Sequence, residues 1–112
     1  MENYIQSYGS DIGGVFCYDD EMAMGAIAAI EQAGMKPGED IKIAGIDGQK
    51  VAIQAILDGK MTVVVTCSPL YGNLVFDTIE KLMRGEKVET FIQLEDYVIN
   101  IDNAAEELEK GF

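Results

Sequence analysis

Asp19, Asp47 and Cys67 each follow a short apolar run that reads as a β-strand. In open α/β sheets the carboxyl ends of the strands line one rim, and ligands are held there. Two carboxylates on such a rim suit sugar hydroxyls. Each can accept two hydrogen bonds, and the charge strengthens each bond to about 1.5–3 kcal/mol. Tyr18 and Tyr71 flank the same rim, and an aromatic ring there suits the apolar face of a sugar ring. Plainer roles are open to the same residues. Asp20 reads as a helix N-cap, with Glu21 at the positive end of the helix dipole. Asp19 is also a helix-start residue, Asp47-Gly48 is a turn former, and an aromatic beside a strand end serves equally as core or surface.

Other chemistry lacks its parts. The chain has no His, so neither a Ser-His nor a Cys-His nucleophile pair can form. Cys67 precedes a helix but has no accompanying base. Cys17 and Cys67 do not make a disulfide framework, and they read as small apolar residues. The zinc spacing is absent. Asp19-Asp20-Glu21 could hold Mg²⁺ in a receiver-like phosphotransfer site, but the matching Lys and Ser/Thr partners are missing. Neither Gly-rich phosphate loop occurs. No cofactor, no metal and no catalysis are expected.

With 8 Lys and Arg against 20 Asp and Glu, the net charge is −12. Nucleic acid and anionic membrane surfaces are therefore unsuitable partners. The apolar share of 48% argues for a folded chain, and 112 residues allow one domain. No apolar run is long enough to span a bilayer. Met1-Glu2-Asn3-Tyr4 has neither a basic n-region nor an apolar h-region, so no export signal is expected in this sequence.

The elements that must position the rim follow from periodicity. Residues 2–8 read as a helix closed by Gly9, and Val15 to Tyr18 as the first strand. A helix from Asp20 to Ala33 places Met22, Ala23, Ala26, Ile27 and Ile30 on one face, with Gly34 ending it. Ile41 to Ile46 is the second strand. Gln49 to Leu57 is a short helix with Val51, Ala52, Ala55 and Ile56 on its face, ended by Gly59. Met61 to Thr66 is the third strand, and its run of valines predicts burial on both faces. A helix then runs to Arg84 with Leu70, Leu74, Val75, Ile79, Leu82 and Met83 as its stripe, capped by Gly85. Phe91 to Leu94 and Tyr97 to Ile101 read as short strands, and Asp102 as the cap of a last helix through Leu108. Strand and helix alternate, so the expected fold is α/β, a parallel three-layer sheet with helices on its faces. One edge, beside Val15-Phe16, should be bare and apolar, which invites a homodimer through that edge.

Val15-Phe16-Cys17-Tyr18-Asp19-Asp20-Glu21-Met22-Ala23-Met24-Gly25-Ala26 resembles the "(N/D)-D-E-M-A-x-G-A" segment of ribose/galactose-type periplasmic sugar-binding proteins of ABC importers. The segment from Lys36-Pro37-Gly38-Glu39-Asp40 to Ile46-Asp47-Gly48, and then Ala55 to Thr62, are similar to their next signatures. Thr66-Cys67-Ser68-Pro69-Leu70-Tyr71-Gly72 and Asn103-Ala104-Ala105 look most like the galactofuranose-binding branch. The resemblance implies a partial lobe of the type I periplasmic-binding-protein fold. Residues 1–68 correspond to the second half of the C-terminal lobe, and 69–112 to a crossover helix and C-terminal segment. It implies that Asp19 and Asp47 bind sugar and that Cys67 stands at a ligand-facing position. The implied partners are a monosaccharide and the membrane subunits of an importer, and the implied location of the parent is the periplasm or cell surface. A second class, the effector-binding core of a LacI-type regulator, shares the fold. Against it stand the acidic charge, the absence of a helix-turn-helix, and Gly48 where regulators more often carry a second Asp.

Overall fold

The computed structural model describes all 112 residues. Its elements are α1 (Glu2–Tyr8), a 3₁₀ turn (Gly9–Asp11), β1 (Gly14–Phe16), α2 (Asp20–Gln32), β2 (Lys42–Asp47), α3 (Lys50–Leu57), β3 (Val63–Thr66), α4 (Gly72–Met83), β4 (Val98–Asn100), α5 (Ala104–Glu107) and a final 3₁₀ turn (Leu108–Lys110). The sheet has four strands in the order β1-β2-β3-β4. β1, β2 and β3 run parallel, with Phe16 opposite Ala44 and Asp47 opposite Thr66. β4 is antiparallel to β3, so the sheet is mixed rather than wholly parallel. Phe91 to Leu94 forms no strand.

Three helices end by the same device. Gly34, Gly59 and Gly85 take φ of 75°, 73° and 74° after α2, α3 and α4. Their amides donate to Glu31, Ile56 and Leu82, and the next amides donate to Ile30, Ala55 and Lys81. This paired closure satisfies carbonyls that the helix leaves open, and glycine reaches it without steric cost.

The core lies on one face of the sheet. Ile43, Val64 and Ile99 point into it from three strands, against Ala23, Ala26, Ile27 and Ile30 of α2 and Ala52, Ile53 and Ile56 of α3. Met22 and Val51, expected on the buried faces, are exposed. Ile53 takes the place expected for Val51, because α3 is rotated toward α5 as well as toward the sheet.

The opposite face of the sheet carries no helix from this chain. Val64 is buried, but Val65 is exposed, so the valine run is covered on one side only. Phe16, Val65 and Val98 stand open on that outer face, with Ala44, Ile46 and Val63 half-covered between them. The chain therefore forms two of the three layers expected. The reason is α4. It buries none of its residues and projects from the rest. The molecule extends over 60 × 29 × 16 Å.

Candidate functional site

Because β1, β2 and β3 are parallel, their carboxyl ends share one rim. Counting on from the Phe16–Ala44 pair brings Asp19 level with Asp47. The Asp47 carbonyl accepts a hydrogen bond from the Cys67 amide at 2.9 Å, which extends the β2–β3 ladder past the last strand pair. The sheet thus brings Asp19, Asp47 and Cys67 to one end.

Asp19, rather than Asp20, is the N-cap of α2. Its backbone is extended and its Oδ1 accepts from the Met22 amide at 2.6 Å. With two consecutive Asp residues, the cap falls on the one whose extended backbone precedes the first helical turn. Asp19 keeps Oδ2 without a protein partner.

Asp20 is fully buried. Its Oδ2 accepts from the Gly48 amide at 2.9 Å and the Gln49 amide at 2.8 Å, in the loop after β2. Its Oδ1 has no hydrogen-bond partner. Burial, which those two bonds partly offset, pushes its carboxyl up to about 6, and the charges of Asp47 and Asp19 add to the rise. Reading the sequence missed this role. The signal was Gly45, a glycine in the interior of a strand. A Cβ on Gly45 would stand 2.7 Å from Asp20 Oδ1 and 2.6 Å from Met61 Cε. Interior strand glycines mark such close approaches.

Asp47 is the only non-glycine residue at positive φ, 127°. Such a backbone costs on the order of 1–3 kcal/mol and persists where its surroundings enforce it, commonly at functional sites. Its side chain makes no hydrogen bond within the protein. Gly48 follows at φ 82°, with a hypothetical Cβ 3.1 Å from the Thr66 methyl group.

The remaining expected residues stand at the margins. Tyr18 is 77% exposed and packs edge-on against Phe16 on the outer face, with ring centroids 5.5 Å apart. Cys67 is exposed and Cys17 buried, and both are free. Burial, with Asp19 and Asp20 nearby, raises the Cys17 thiol, so it is a packing residue rather than a nucleophile.

A cavity of about 220 Å³ opens beside Asp47, bounded by Thr66, Ser68, Tyr71, Asp96 and Tyr97. Of the four ligand candidates only Asp47 lines it; Tyr71 joins it there. The two crossings of the chain to and from α4 meet at this cavity. The Tyr97 amide donates to Thr66 Oγ1 and the Thr66 amide to the Tyr97 carbonyl, both at 2.9 Å. Tyr97 Oη and Lys110 Nζ each donate to Glu107 at 2.7 Å. These two bonds hold the Glu107 carboxyl below its ordinary value, and the bond to Glu107 raises the Tyr97 phenol. No three His, Cys, Asp or Glu side chains converge as a metal site.

Residues 1–87 match the periplasmic binding protein domain. The chain belongs to that family. It is 35% identical over 98% of its length to the galactofuranose-binding protein YtfQ of Escherichia coli, of which it covers 36%. It is 39% identical over 82% of its length to the ribose import binding protein RbsB of Bacillus subtilis, covering 29%. A crystal structure of a galactofuranose-binding protein superposes with a TM-score of 0.91 at 36% identity, over 97% of this chain and 38% of that one. The periplasmic component of the arabinose ABC transporter from Shewanella sp. ANA-3, bound to α- and β-L-arabinofuranose, gives 0.88 at 35% identity, over 97% and 37%. The chain thus spans about a third of the length of the curated relatives it matches. The fold is a partial lobe of the type I periplasmic-binding-protein fold. These relatives are solute-binding proteins, and they give the LacI-type regulator reading no support.

Proposed function

We propose that this chain supplies part of the sugar-binding lobe of a periplasmic solute-binding protein that delivers a monosaccharide to an ABC importer, without catalysis. The observation that carries this reading is the register of β1, β2 and β3, which brings two carboxylates, Asp19 and Asp47, to one rim. Asp19 Oδ2 and both oxygens of Asp47 remain available to sugar hydroxyls. Cys67 lies beside Asp47 as a weak polar contact, and Tyr18 offers a ring at the edge of the same rim. Residues 1–68 act as the lobe, and 69–112 as the crossover that leaves it and returns along β4. The working location is the periplasm or the cell surface, and the acidic charge leaves no role for nucleic acid.

The chain alone holds one wall of the cleft, so its own affinity should be millimolar or weaker. Calorimetry with galactose and ribose tests this. Weak heats lost in an Asp47→Ala variant support the reading, and micromolar binding by the isolated chain overturns the one-walled site.

The bare β1 edge and the open outer face give the isolated chain a route to a homodimer. Light scattering across a concentration series should show dimer mass, and a monomer at the highest concentration rejects it.

A further inference from the structure

Asp20 touches no cavity of the site and was expected to do no more than start a helix. Its geometry is that of a strut. The backbone around it belongs to the turn capped by Asp19, while its side chain reaches across to the loop that follows Asp47. Gly48 and Gln49 are the two residues directly after Asp47, and Asp20 is the side-chain acceptor for both of their amides. Gly45, two residues before Asp47, is a glycine where any side chain would collide with the Asp20 carboxyl. The strained residue therefore sits between two points that Asp20 constrains. A φ of 127° at Asp47 needs such enforcement, since an Asp left to itself relaxes to negative φ.

We propose that Asp20 is a positioning residue of the rim: its buried carboxylate, anchored on the Gly48 and Gln49 amides, holds the Asp47 backbone in its strained form and ties Asp47 to the helix capped by Asp19. The two rim carboxylates are then set by one buried group rather than independently. The role in ligand binding rests on the sugar reading above; the strut does not. Asp47 from β2 and Asp19 from its own turn are the charged groups bearing on Asp20, and Cys17 at the end of β1 is the other titratable neighbour.

Amide NMR of this chain tests it. Between about pH 4 and 8 the Gly48 and Gln49 amide protons should move together with the Asp20 carboxyl carbon, with a midpoint near 6. Asp20→Asn, which keeps an acceptor oxygen and loses the charge, should abolish that movement while both amides stay slow to exchange. Asp20→Ala should speed their exchange by about tenfold or more and displace the Asp47 Cα signal, with Ile27 and Ile30 of α2 still protected. Unchanged exchange and an unchanged Asp47 signal in Asp20→Ala overturn the proposal. Gly48 and Gln49 amides that exchange in the wild type as fast as an unprotected loop overturn it too, and this measurement decides if the Ala variant does not fold. In a separate titration with galactose, shifts at Asp47 that weaken in Asp20→Ala carry the strut through to binding. Absence of any galactose shift in the wild type counts against the sugar reading, while the pH and exchange results still decide the strut.

Discussion

Asp19 and Asp20 show how two identical neighbours acquire different chemistry. Asp19 caps α2 and keeps one oxygen available; Asp20 is swallowed by the core and bonds two amides from another loop. Asp20→Ala would orphan two amides, at a cost of about 2–4 kcal/mol in denaturant unfolding. The pH dependence has an unusual sign. The unfolded carboxyl ionises near 3.8 and the folded one near 6. Between those values the unfolded chain has lost a proton that the folded chain keeps, so stability falls as pH rises. The contribution is complete below about 3.8 and lost through 6. Relative to Asp20→Asn, the wild type should therefore lose roughly 2–3 kcal/mol between pH 4 and 7, measured as paired urea midpoints. Gly45→Ala should cost about 1–3 kcal/mol by overpacking Asp20 and Met61. The sequence displayed Asp19 and Asp47 as rim residues because strand ends are legible from hydropathy. It hid Asp20, because a contact between residues 28 and 29 positions apart has no local signature.

At the scale of elements, helices and strands behaved according to whether their partners lie in this chain. α2 and α3 had readable starts and stops, and their closing glycines fell where helix-ending rules require. Their faces follow the helical period less closely: Met22 and Val51 are exposed, because the rotation of a helix is set by every neighbour and not by period alone. α4 has the cleanest apolar stripe of all, yet buries nothing. A helix of 12 residues that buries none of its side chains is marginal in water. Its amides should exchange far faster than those of β2 and α3 in hydrogen-exchange mass spectrometry at low concentration. By the same argument, Ile79→Asp should leave the melting temperature of the lobe unchanged. If α4 shares in self-association, that substitution also shifts the monomer–dimer equilibrium toward monomer in light scattering.

At the scale of the whole molecule the chain is too extended for its length. Its radius of gyration is 18.0 Å, where a compact domain of this size has about 13 Å. Small-angle scattering of the dilute monomer should return a value near 18 Å, and one near 13 Å would mean that α4 folds back onto the open sheet. The extension and the bare outer face go together, since neither α4 nor the outer face of the sheet is buried by other elements of this chain. By itself the sequence determined the alternation of strand and helix, the shared rim carrying Asp19, Asp47 and Cys67, and membership of a family whose signatures it carries in order. Those features are local: hydropathy periods, caps and turn glycines act over a few residues, and parallel strands then align their ends. Only the tertiary structure decided that Asp19 caps while Asp20 braces, that Asp47 is strained, that β4 joins antiparallel, and that one sheet face and all of α4 stay uncovered. Each of these depends on which distant surfaces meet, and a buried carboxylate or a bare face is defined by neighbours that linear spacing does not specify.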